Sequence, residues 1–258
     1  SIFKDKAFGS AGNKVVIEDF LDGEEASFIA VVSKDKIIPL VTSQDHKAVG
    51  DGDIGLNTGG MGAYSPAPIV TDAIHKKILD EVMYPTMQGL IDEGAPYLGF
   101  LYAGLMIKDD DIKVLEFNCR FGDPETQPLL FRIDSDIFDL FYLTALGELD
   151  SYKLKWKNKT SVSVVLASKG YPMKPETGMS IKNLDKINLS DDQYIFHAGT
   201  SIKDKEVIIN GGRVLNITAS GDNLKEAINS AYKIIDMVDS SNLQYRKDIG
   251  AKGLLKNS

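Results

Sequence analysis

The sequence has few cysteines, histidines and tryptophans, and no surplus of basic residues. Its one cysteine, Cys119, cannot form an intrachain disulfide, which favours a cytoplasmic setting. The three histidines have no cysteine or glutamate at ligand spacing beside them, so we see no zinc motif. A net charge of −8 argues against nucleic acid or an anionic membrane as the main partner.

Long hydrophobic runs are also missing. No apolar run reaches the roughly 18 residues that a membrane-spanning helix needs, so we expect no membrane partner. Hydrophobic residues make up 43% of the chain and charged residues 26%, as in a soluble globular protein. A length of 258 residues suits one large or two ordinary domains. No histidine lies near Cys119 in sequence, so we interpret it as a buried small residue rather than a catalytic thiol.

The most informative segment is a charged strand that leads into a Gly-Asp-Pro turn. Val114 to Phe117 has the pattern of a short strand, but Glu116 interrupts the apolar run, and Asn118 and Arg120 follow. Residues two apart in a strand face the same way, so these three polar side chains should share one face. Two oxygen ligands beside a guanidinium suit Mg²⁺ that bridges phosphates. The alternative is an edge strand that carries a solvated salt-bridge cluster.

The rest of the pattern predicts an α+β protein with a boundary near residue 155, separating units 1–155 and 156–258. The predicted strands are residues 15–17, 26–32, 36–41, 100–107, 112–118 and 161–167. The predicted helices are one capped by Thr71 that runs to residue 93 with a kink at Pro85, one capped by Ser135 over 136–146, and one over 223–238. Residues 207–209 and 213–219 are predicted to form a hairpin around Asn210-Gly211-Gly212.

Residues 44–68 form a long glycine-rich segment, which we predict to be a loop. Its glycines allow the backbone to approach a ligand closely, and successive amides in such a loop can form an anion-binding concavity. It is not a Walker A loop, because no Gly-Lys-Ser/Thr ends it. A flexible surface loop is the alternative, although a loop of this length in a compact domain is more often functional.

An acidic segment follows the first predicted strand. Glu18, Asp19, Phe20 and Leu21 end the strand, and Glu25 lies beyond the next turn. Backbone groups there could meet a purine edge and a carboxylate could meet a ribose hydroxyl. An ordinary acidic turn is the structural alternative.

Together these motifs resemble the glycinamide ribonucleotide synthetases (phosphoribosylamine–glycine ligases) of the ATP-grasp superfamily. The resemblance covers essentially the whole chain. Its most specific blocks are Asn57-Thr58-Gly59-Gly60-Met61-Gly62-Ala63-Tyr64 and Glu116-Phe117-Asn118-Cys119-Arg120-Phe121-Gly122-Asp123-Pro124-Glu125. Further matches are Gln44-Asp45-His46-Lys47, Phe196-His197-Ala198-Gly199-Thr200 and Tyr245-Arg246-Lys247-Asp248-Ile249-Gly250. The resemblance implies part of an ATP-grasp fold, followed by a smaller α+β C-terminal domain.

It also implies an activity. Such an enzyme joins glycine to 5-phosphoribosylamine through glycyl phosphate, giving glycinamide ribonucleotide, ADP and phosphate, in purine biosynthesis. The implied cofactors are ATP and Mg²⁺, or Mn²⁺, which accepts the same ligands.

The resemblance assigns roles to the site residues. Glu116 and Asn118 would bind the metal, and Arg120 would stabilise charge on the transferred phosphoryl group. Asp45 and Lys47 would orient substrate, and Asn57 would lie near the phosphates or the acyl intermediate. The adenine would be lined by Glu18, Asp19, Phe20 and Leu21, and the ribose held by Glu25.

The sequence departs from the family pattern in two respects. Complete members carry an N-terminal nucleotide-fold domain and a flap with a phosphate-binding lysine, so we expect that portion to be missing or supplied as a separate chain. Many ATP-grasp enzymes also take a metal carboxylate from the strand before Glu116, which here reads Ala103-Gly104-Leu105-Met106-Ile107. Two alternatives therefore stay open: a non-catalytic nucleotide-binding fragment, and another ATP-grasp ligase of the carboxylase type.

Overall fold

A computed structural model of the chain describes residues 3–6, 9–150 and 152–256. The strands are β1 (Glu24–Ser33), β2 (Lys36–Pro39), β3 (Gln44–Asp45), β4 (Ala48–Gly50), β5 (Ile54–Asn57), β6 (Gly62–Ser65), β7 (Leu98–Lys108), β8 (Asp111–Asn118), β9 (Thr160–Ser168), β10 (Gln193–His197), β11 (Thr200–Lys203), β12 (Glu206–Ile209), β13 (Arg213–Gly221) and β14 (Leu243–Gln244). The helices are α1 (Asp72–Ile78), α2 (Tyr84–Asp92), α3 (Thr126–Phe131), α4 (Ile137–Leu146), α5 (Leu224–Ile235) and α6 (Ala251–Lys256). None of the helices in the described residues is long and apolar enough to cross a membrane.

The first sheet is antiparallel and has the strand order β2-β1-β7-β8. Strand β1 is buried along most of its length because both of its faces are covered. Phe28 packs with the α1–α2 side, against Ile78 and Met83, while Ile29 packs on the opposite face with Leu140 of α4. Alternate residues of one strand therefore supply two separate cores, and β8 is left at the edge of the sheet.

The second sheet combines strands from both sides of the predicted boundary near residue 155. Its order is β10-β13-β9-β6-β3, and β14 also pairs with β9. The apolar face of α5 covers this sheet, with Ala231 and Ile234 in the same core as Leu166 and Ile217. Strands β3 and β6 of the first predicted unit thus lie in the same sheet as β9 and β13 of the second. The division into units 1–155 and 156–258 stays a prediction.

The helix cap predicted at Thr71 is confirmed. The Thr71 hydroxyl accepts a hydrogen bond from the Ile74 amide at 3.3 Å, as an N-cap does. At the predicted kink, a wide π-type turn (Leu79–Met83) joins α1 to α2, and Pro85 lies in the first turn of α2. A proline is tolerated in the first turn of a helix because it has no amide hydrogen, and the amides of that turn have no partner within the helix.

The cap predicted at Ser135 is wrong by one residue. The Asp136 carboxylate caps α4 by accepting from the Phe138 amide at 2.8 Å. The Ser135 hydroxyl instead accepts from the Lys155 amide at 2.7 Å. The hydrogen bond with Lys155 therefore occupies the Ser135 side chain, which the sequence pattern had assigned to the helix cap.

The predicted hairpin of residues 207–209 and 213–219 is also wrong. Strand β12 pairs with β11, whereas β13 pairs with β9 and β10. Asp204 and Lys205 both have positive φ, which gives β11–β12 a tight two-residue turn. The two glycines at 211 and 212 serve another purpose: a Cβ on Gly211 would lie 2.9 Å from the Gly199 Cα, so two backbones meet closely there.

Three further expectations differ from the structure. Residues 15–17 form no strand and are exposed, Ile17 at 91%, because no strand of the described residues pairs with them. The segment 44–68 is not one loop, since it contains β3 to β6. Cys119 is exposed rather than buried, because it follows the edge strand β8.

Candidate functional site

A group of adjoining cavities lies beside the ends of β1, β3 and β8. Asp45, at the end of β3, and Lys47 line all three of them. Glu25 of β1 lines two of the cavities, and Glu116 of β8 also lines two. Residues far apart in sequence therefore meet at one site because the short strand β3 brings residues 44–47 beside the first sheet.

The alternation predicted for β8 is present. Glu116, Asn118 and Arg120 line the same cavity, of about 280 Å³, together with Asp45 and Lys47. The Asn118 side-chain amide donates to Glu116 Oε1 at 3.1 Å, which holds the two side chains on one face. The Arg120 guanidinium donates to the Phe121 carbonyl at 2.8 Å.

Gly104 of β7 is the cross-strand neighbour of Glu116. A Cβ at Gly104 would lie 3.2 Å from Glu116 Cγ, so the small residue leaves space for the glutamate side chain. Gly104 belongs to the strand, Ala103-Gly104-Leu105-Met106-Ile107, in which the sequence analysis found no second metal carboxylate.

Lys47 is surrounded by carboxylates. Its ammonium lies 3.7 Å from Asp45 Oδ2 and 4.0 Å from Glu25 Oε2. Burial alone lowers the pKa of Lys47, but the charges of Asp45, Glu25, Glu125 and Glu116 outweigh it and raise that pKa. Lys47 is therefore a permanent cation at neutral pH, available to an anionic substrate group.

Asp45 and Glu125 are two buried carboxyl groups in the wall of this site. Burial, and then the nearby Glu125 charge, raise the pKa of Asp45 well above its ordinary value, while Lys47 acts in the opposite direction. The Asp45 carboxyl also accepts from the His46 amide at 2.6 Å. The site thus keeps one carboxyl that binds a proton more readily than an exposed aspartate does.

Glu125 is a site residue to which the sequence analysis gave no role. It accepts a hydrogen bond from the Ser27 hydroxyl at 2.7 Å, and the Ser27 and Tyr102 hydroxyls lie 3.1 Å apart. Its position directly after the Gly-Asp-Pro turn was a signal for it. No pattern in the sequence indicates Ser27 or Tyr102, which lie on the central strands β1 and β7.

Residues 58–61 form a turn before β6, called the glycine turn below, and it does not provide the expected anion-binding amides because the protein itself uses them. The amides of Thr58 and Met61 donate to the carbonyls of Lys47 and His46. Those of Gly59 and Gly60 donate to the Tyr171 hydroxyl at 3.0 Å and the Thr58 hydroxyl at 2.9 Å. The glycines serve close packing here, and Asn57 lines a neighbouring cavity with Glu25.

The residues expected at the adenine do not line these three cavities. Glu18, Asp19, Phe20 and Leu21 lie in an extended segment without regular structure, and none of these described residues lines the three cavities. Phe20 is 94% exposed. The segment leads to Gly23, which does line a cavity with Glu25, so it passes the site. Its role in nucleotide binding stays a prediction.

The site residues expected to hold Mg²⁺ are Glu116 and Asn118. Among the described residues there is no group of three or more histidine, cysteine, aspartate or glutamate side chains arranged to hold a metal ion. Glu116 and Asn118 together offer two oxygen donors on one face of β8. Mg²⁺ is commonly held by one or two carboxylates and by substrate phosphates, so this donor set fits a metal shared with a nucleotide.

The chain was compared with known proteins. Residues 1–126 match the family model described as phosphoribosylglycinamide synthetase, ATP-grasp (A) domain, and residues 161–252 match the C domain of the same family. It is 50% identical over 251 residues to the phosphoribosylamine–glycine ligase of Vibrio parahaemolyticus, which covers 97% of this chain and 58% of the relative. It is 53% identical over 250 residues to the ligase of Allochromatium vinosum, covering 96% of this chain and 58% of that relative. The chain thus spans less than two thirds of these curated relatives.

Solved structures give the same result. The phosphoribosylamine–glycine ligase of Thermotoga maritima superposes with a TM-score of 0.80 at 36% identity, over 90% of this chain and 57% of that one. The N5-carboxyaminoimidazole ribonucleotide synthetase of Thermus thermophilus, at 16% identity and a TM-score of 0.60, covers 92% of this chain and 58% of its own, and supports the fold alone. From both matching family domains, the high identity to curated relatives and the shared fold, this chain belongs to the phosphoribosylglycinamide synthetase family.

Proposed function

We propose that this chain carries part of the active site of an ATP-dependent ligase that joins glycine to 5-phosphoribosylamine. The products are glycinamide ribonucleotide, ADP and phosphate. Curated relatives about half identical to the chain bear the name of this activity. The structural observation that supports it is one cavity lined by Glu116, Asn118 and Arg120 together with Lys47.

The first proposed step activates glycine. A glycine carboxylate oxygen forms a bond to the terminal phosphorus of ATP, and the bond from that phosphorus to the bridging oxygen breaks, giving glycyl phosphate and ADP. Arg120 and Lys47 are the cations of the cavity, and they stabilise the charge on the transferred phosphoryl oxygens. Mg²⁺ held by Glu116 and Asn118 would neutralise further phosphate charge.

The second proposed step forms the amide. The amine nitrogen of 5-phosphoribosylamine bonds to the carbonyl carbon of glycyl phosphate, the carbon–oxygen bond to phosphate breaks, and the nitrogen loses a proton to the released phosphate. Asp45 and Lys47 share the cavity wall, and we assign them the orientation of substrate. Asn57 lines the neighbouring cavity with Lys47, and we assign it to the phosphates or the acyl group.

Nucleotide binding completes the proposal. Glu25 lines the cavity beside Lys47, and we assign it to the ribose hydroxyls. The segment from Glu18 to Leu21 is assigned to the adenine edge through its backbone. We further propose that turnover needs the portion of a full-length ligase that lies outside the match, supplied in the same or another chain, in a cytoplasmic setting.

The test is ADP release with Mg-ATP, glycine and 5-phosphoribosylamine generated in situ, with the N-terminal portion of a relative ligase added. We expect release that requires both co-substrates, and its absence under these conditions contradicts the proposal. Glu116→Ala should abolish Mg²⁺-dependent turnover with little loss of stability, because Glu116 is exposed on an edge strand.

The matched control is Glu206→Ala, another exposed glutamate on a strand. It should keep wild-type turnover. ADP release by Glu116→Ala at the wild-type rate would remove the metal assignment, and ATP binding without any turnover would favour a nucleotide-binding fragment.

A further inference from the structure

The tip of the glycine turn is bound from outside the cavity by Arg213, the first residue of β13. Arg213 Nη1 donates to the Gly59 carbonyl at 2.7 Å and to the Asp123 carbonyl at 2.8 Å. Its Nη2 donates to Asp123 Oδ2 at 2.8 Å. One guanidinium therefore joins two turns whose residues Gly59 and Asp123 are 64 positions apart in sequence.

The two turns also meet without free space between them. A Cβ at Gly59 would lie 3.0 Å from Arg213 Cζ, and one at Gly60 would lie 2.3 Å from Pro124 Cδ. Gly60 has a φ of +115°, which residues with a side chain rarely adopt. The glycines thus allow the 59–60 turn to pack directly on Arg213 and Pro124.

Tyr171 binds the same turn through the Gly59 amide. Its hydroxyl accepts from the Gly59 amide at 3.0 Å, so both the amide and the carbonyl of Gly59 bond to residues beyond position 160. Tyr171 is itself held in place by its neighbours. A Cβ at Gly212 would lie 2.5 Å from the Tyr171 ring, and the Tyr171 carbonyl accepts a hydrogen bond from the Gln244 side chain at 2.8 Å.

Both turns carry residues that line the proposed phosphoryl-transfer cavity. Thr58 and Gly59 come from one turn, and Arg120 and Asp123 come from the other. Arg213 and Tyr171 are not among the residues that line that cavity. They contact the wall from behind, chiefly through backbone groups.

We propose that Arg213, with Tyr171, is a positioning pair that fixes the distance between the glycine turn and the Arg120–Asp123 turn. This inference rests on the proposed ligase function of the same site. The pair acts from the C-terminal half of the chain, so that half sets the geometry of a cavity whose lining residues all precede residue 130.

The first variant is Arg213→Met in the ADP-release assay described above. We expect kcat to fall about tenfold to a hundredfold, because small misplacements of catalytic groups cost that much, while the KM for ATP stays within about threefold. Lys159→Met is the matched control, since it removes an ion pair with Asp192 at similar side-chain exposure, 32% against 22% for Arg213, away from the site. This control should keep the wild-type kcat.

Three conservative variants separate positioning from general stability. Asp123→Asn leaves both backbone acceptors of Arg213, so its loss of kcat should be smaller than that of Arg213→Met. Tyr171→Phe keeps the ring and removes one hydrogen bond, for an expected loss of about threefold. Arg213→Lys keeps the charge but cannot span all three acceptors, so it should restore only part of the activity.

Two kinetic outcomes overturn the proposal. One is an Arg213→Met variant with normal kcat and a raised KM for 5-phosphoribosylamine, which would make Arg213 a substrate-binding residue. The other is a loss of kcat no greater than that of Lys159→Met.

Amide hydrogen exchange tests the pair without any turnover, and so distinguishes its failure from failure of the proposed function. Exchange at the Gly59, Gly60 and Met61 amides should be faster in Arg213→Met than in wild type or Lys159→Met. If the wild-type protein releases no ADP but this exchange rises, the proposed function fails and the positioning pair stands. Unchanged exchange overturns the pair.

Discussion

His46 is a buried histidine that the fold keeps neutral. Its Nδ1 lies 3.3 Å from the Gly62 carbonyl and its Nε2 accepts from the Gly250 amide at 3.4 Å, so the hydrogen-bond network assigns the proton to Nδ1. Burial, and then the charges of Arg246 and Lys252, lower its pKa to about 4. It is therefore a structural link between the glycine-rich segment and the C-terminal segment.

Acid should destabilise the protein through His46. In the unfolded chain its pKa is near 6.5, so between pH 6.5 and 4 the unfolded state binds more protons and the free energy of unfolding falls as the pH falls. The loss in the free energy of unfolding reaches about 3 kcal/mol at pH 4. We expect urea unfolding of His46→Gln to show a flatter pH dependence over this range than wild type. His197→Gln, at an exposed histidine, is the control and should keep the wild-type curve; parallel curves for His46→Gln and wild type would contradict the assignment.

The sequence could predict site residues whose signal is local. Alternation along one strand was enough to group Glu116 with Asn118, and the structure brings both into one cavity with Lys47. Cys119 was misassigned because nothing in the pattern says that β8 is an edge strand. The buried hydrogen bond from Ser27 to Glu125 joins residues 98 positions apart, and a single sequence carries no sign of such pairs.

Among the elements, the glycine turn before β6 has a strict steric requirement. Gly60→Ala would place a methyl group 2.3 Å from Pro124 Cδ and 2.8 Å from Asp45 Oδ1. The turn must shift, so we expect a loss of about 1–3 kcal/mol in the free energy of unfolding and about a hundredfold loss of turnover. Thermal unfolding and the ADP-release assay measure the two effects.

Gly94→Ala is the control for that change. Gly94 also has a positive φ, +75°, but a Cβ there would have no atom within 4 Å. It should lose some stability through backbone strain and keep full turnover. If Gly60→Ala behaves like Gly94→Ala in both assays, close packing of the turn is not what its function requires.

Elements with strong local signals were predicted well. Strands β7, β8 and β9, the Thr71 cap and helix α5 all follow from periodicity and capping residues. The partner strand of β12 was predicted wrongly, because the two glycines after β12 resembled a turn more than Asp204-Lys205 did. Strands β3 to β6 were missed since they are at most four residues long and lie in a glycine-rich segment. Turn chemistry and strand partners depend on contacts between distant segments, which periodicity does not report.

At the scale of the whole molecule, the two halves of the sequence share structure. Strand β6 pairs with β9 in the second sheet. The Arg246 side chain, 1% exposed, donates to the Ala48 carbonyl at 3.1 Å, Asp53 at 2.8 Å and Asp248 at 2.6 Å. These contacts fix the segment of β4 and β5 to the chain after β14, so opening one half exposes groups of the other.

We therefore predict that the described fold unfolds as one unit and that Arg246→Met destabilises all of it. Removing the buried guanidinium leaves the Ala48 carbonyl without this donor and Asp248 without its ion pair, whereas Asp53 keeps its ion pair with Lys252. Because both carboxylates are also partly exposed, we expect the lower part of the usual range, about 3 kcal/mol. Fluorescence of Trp156, which is partly buried against the core that contains Leu129, and exchange of the α5 amides should report the same denaturant midpoint. Lys247→Met, at the exposed neighbouring residue, should leave that midpoint unchanged. Two separate transitions, or a midpoint that falls for α5 alone, would mean that the halves fold independently and that Arg246 stabilises only its own segment.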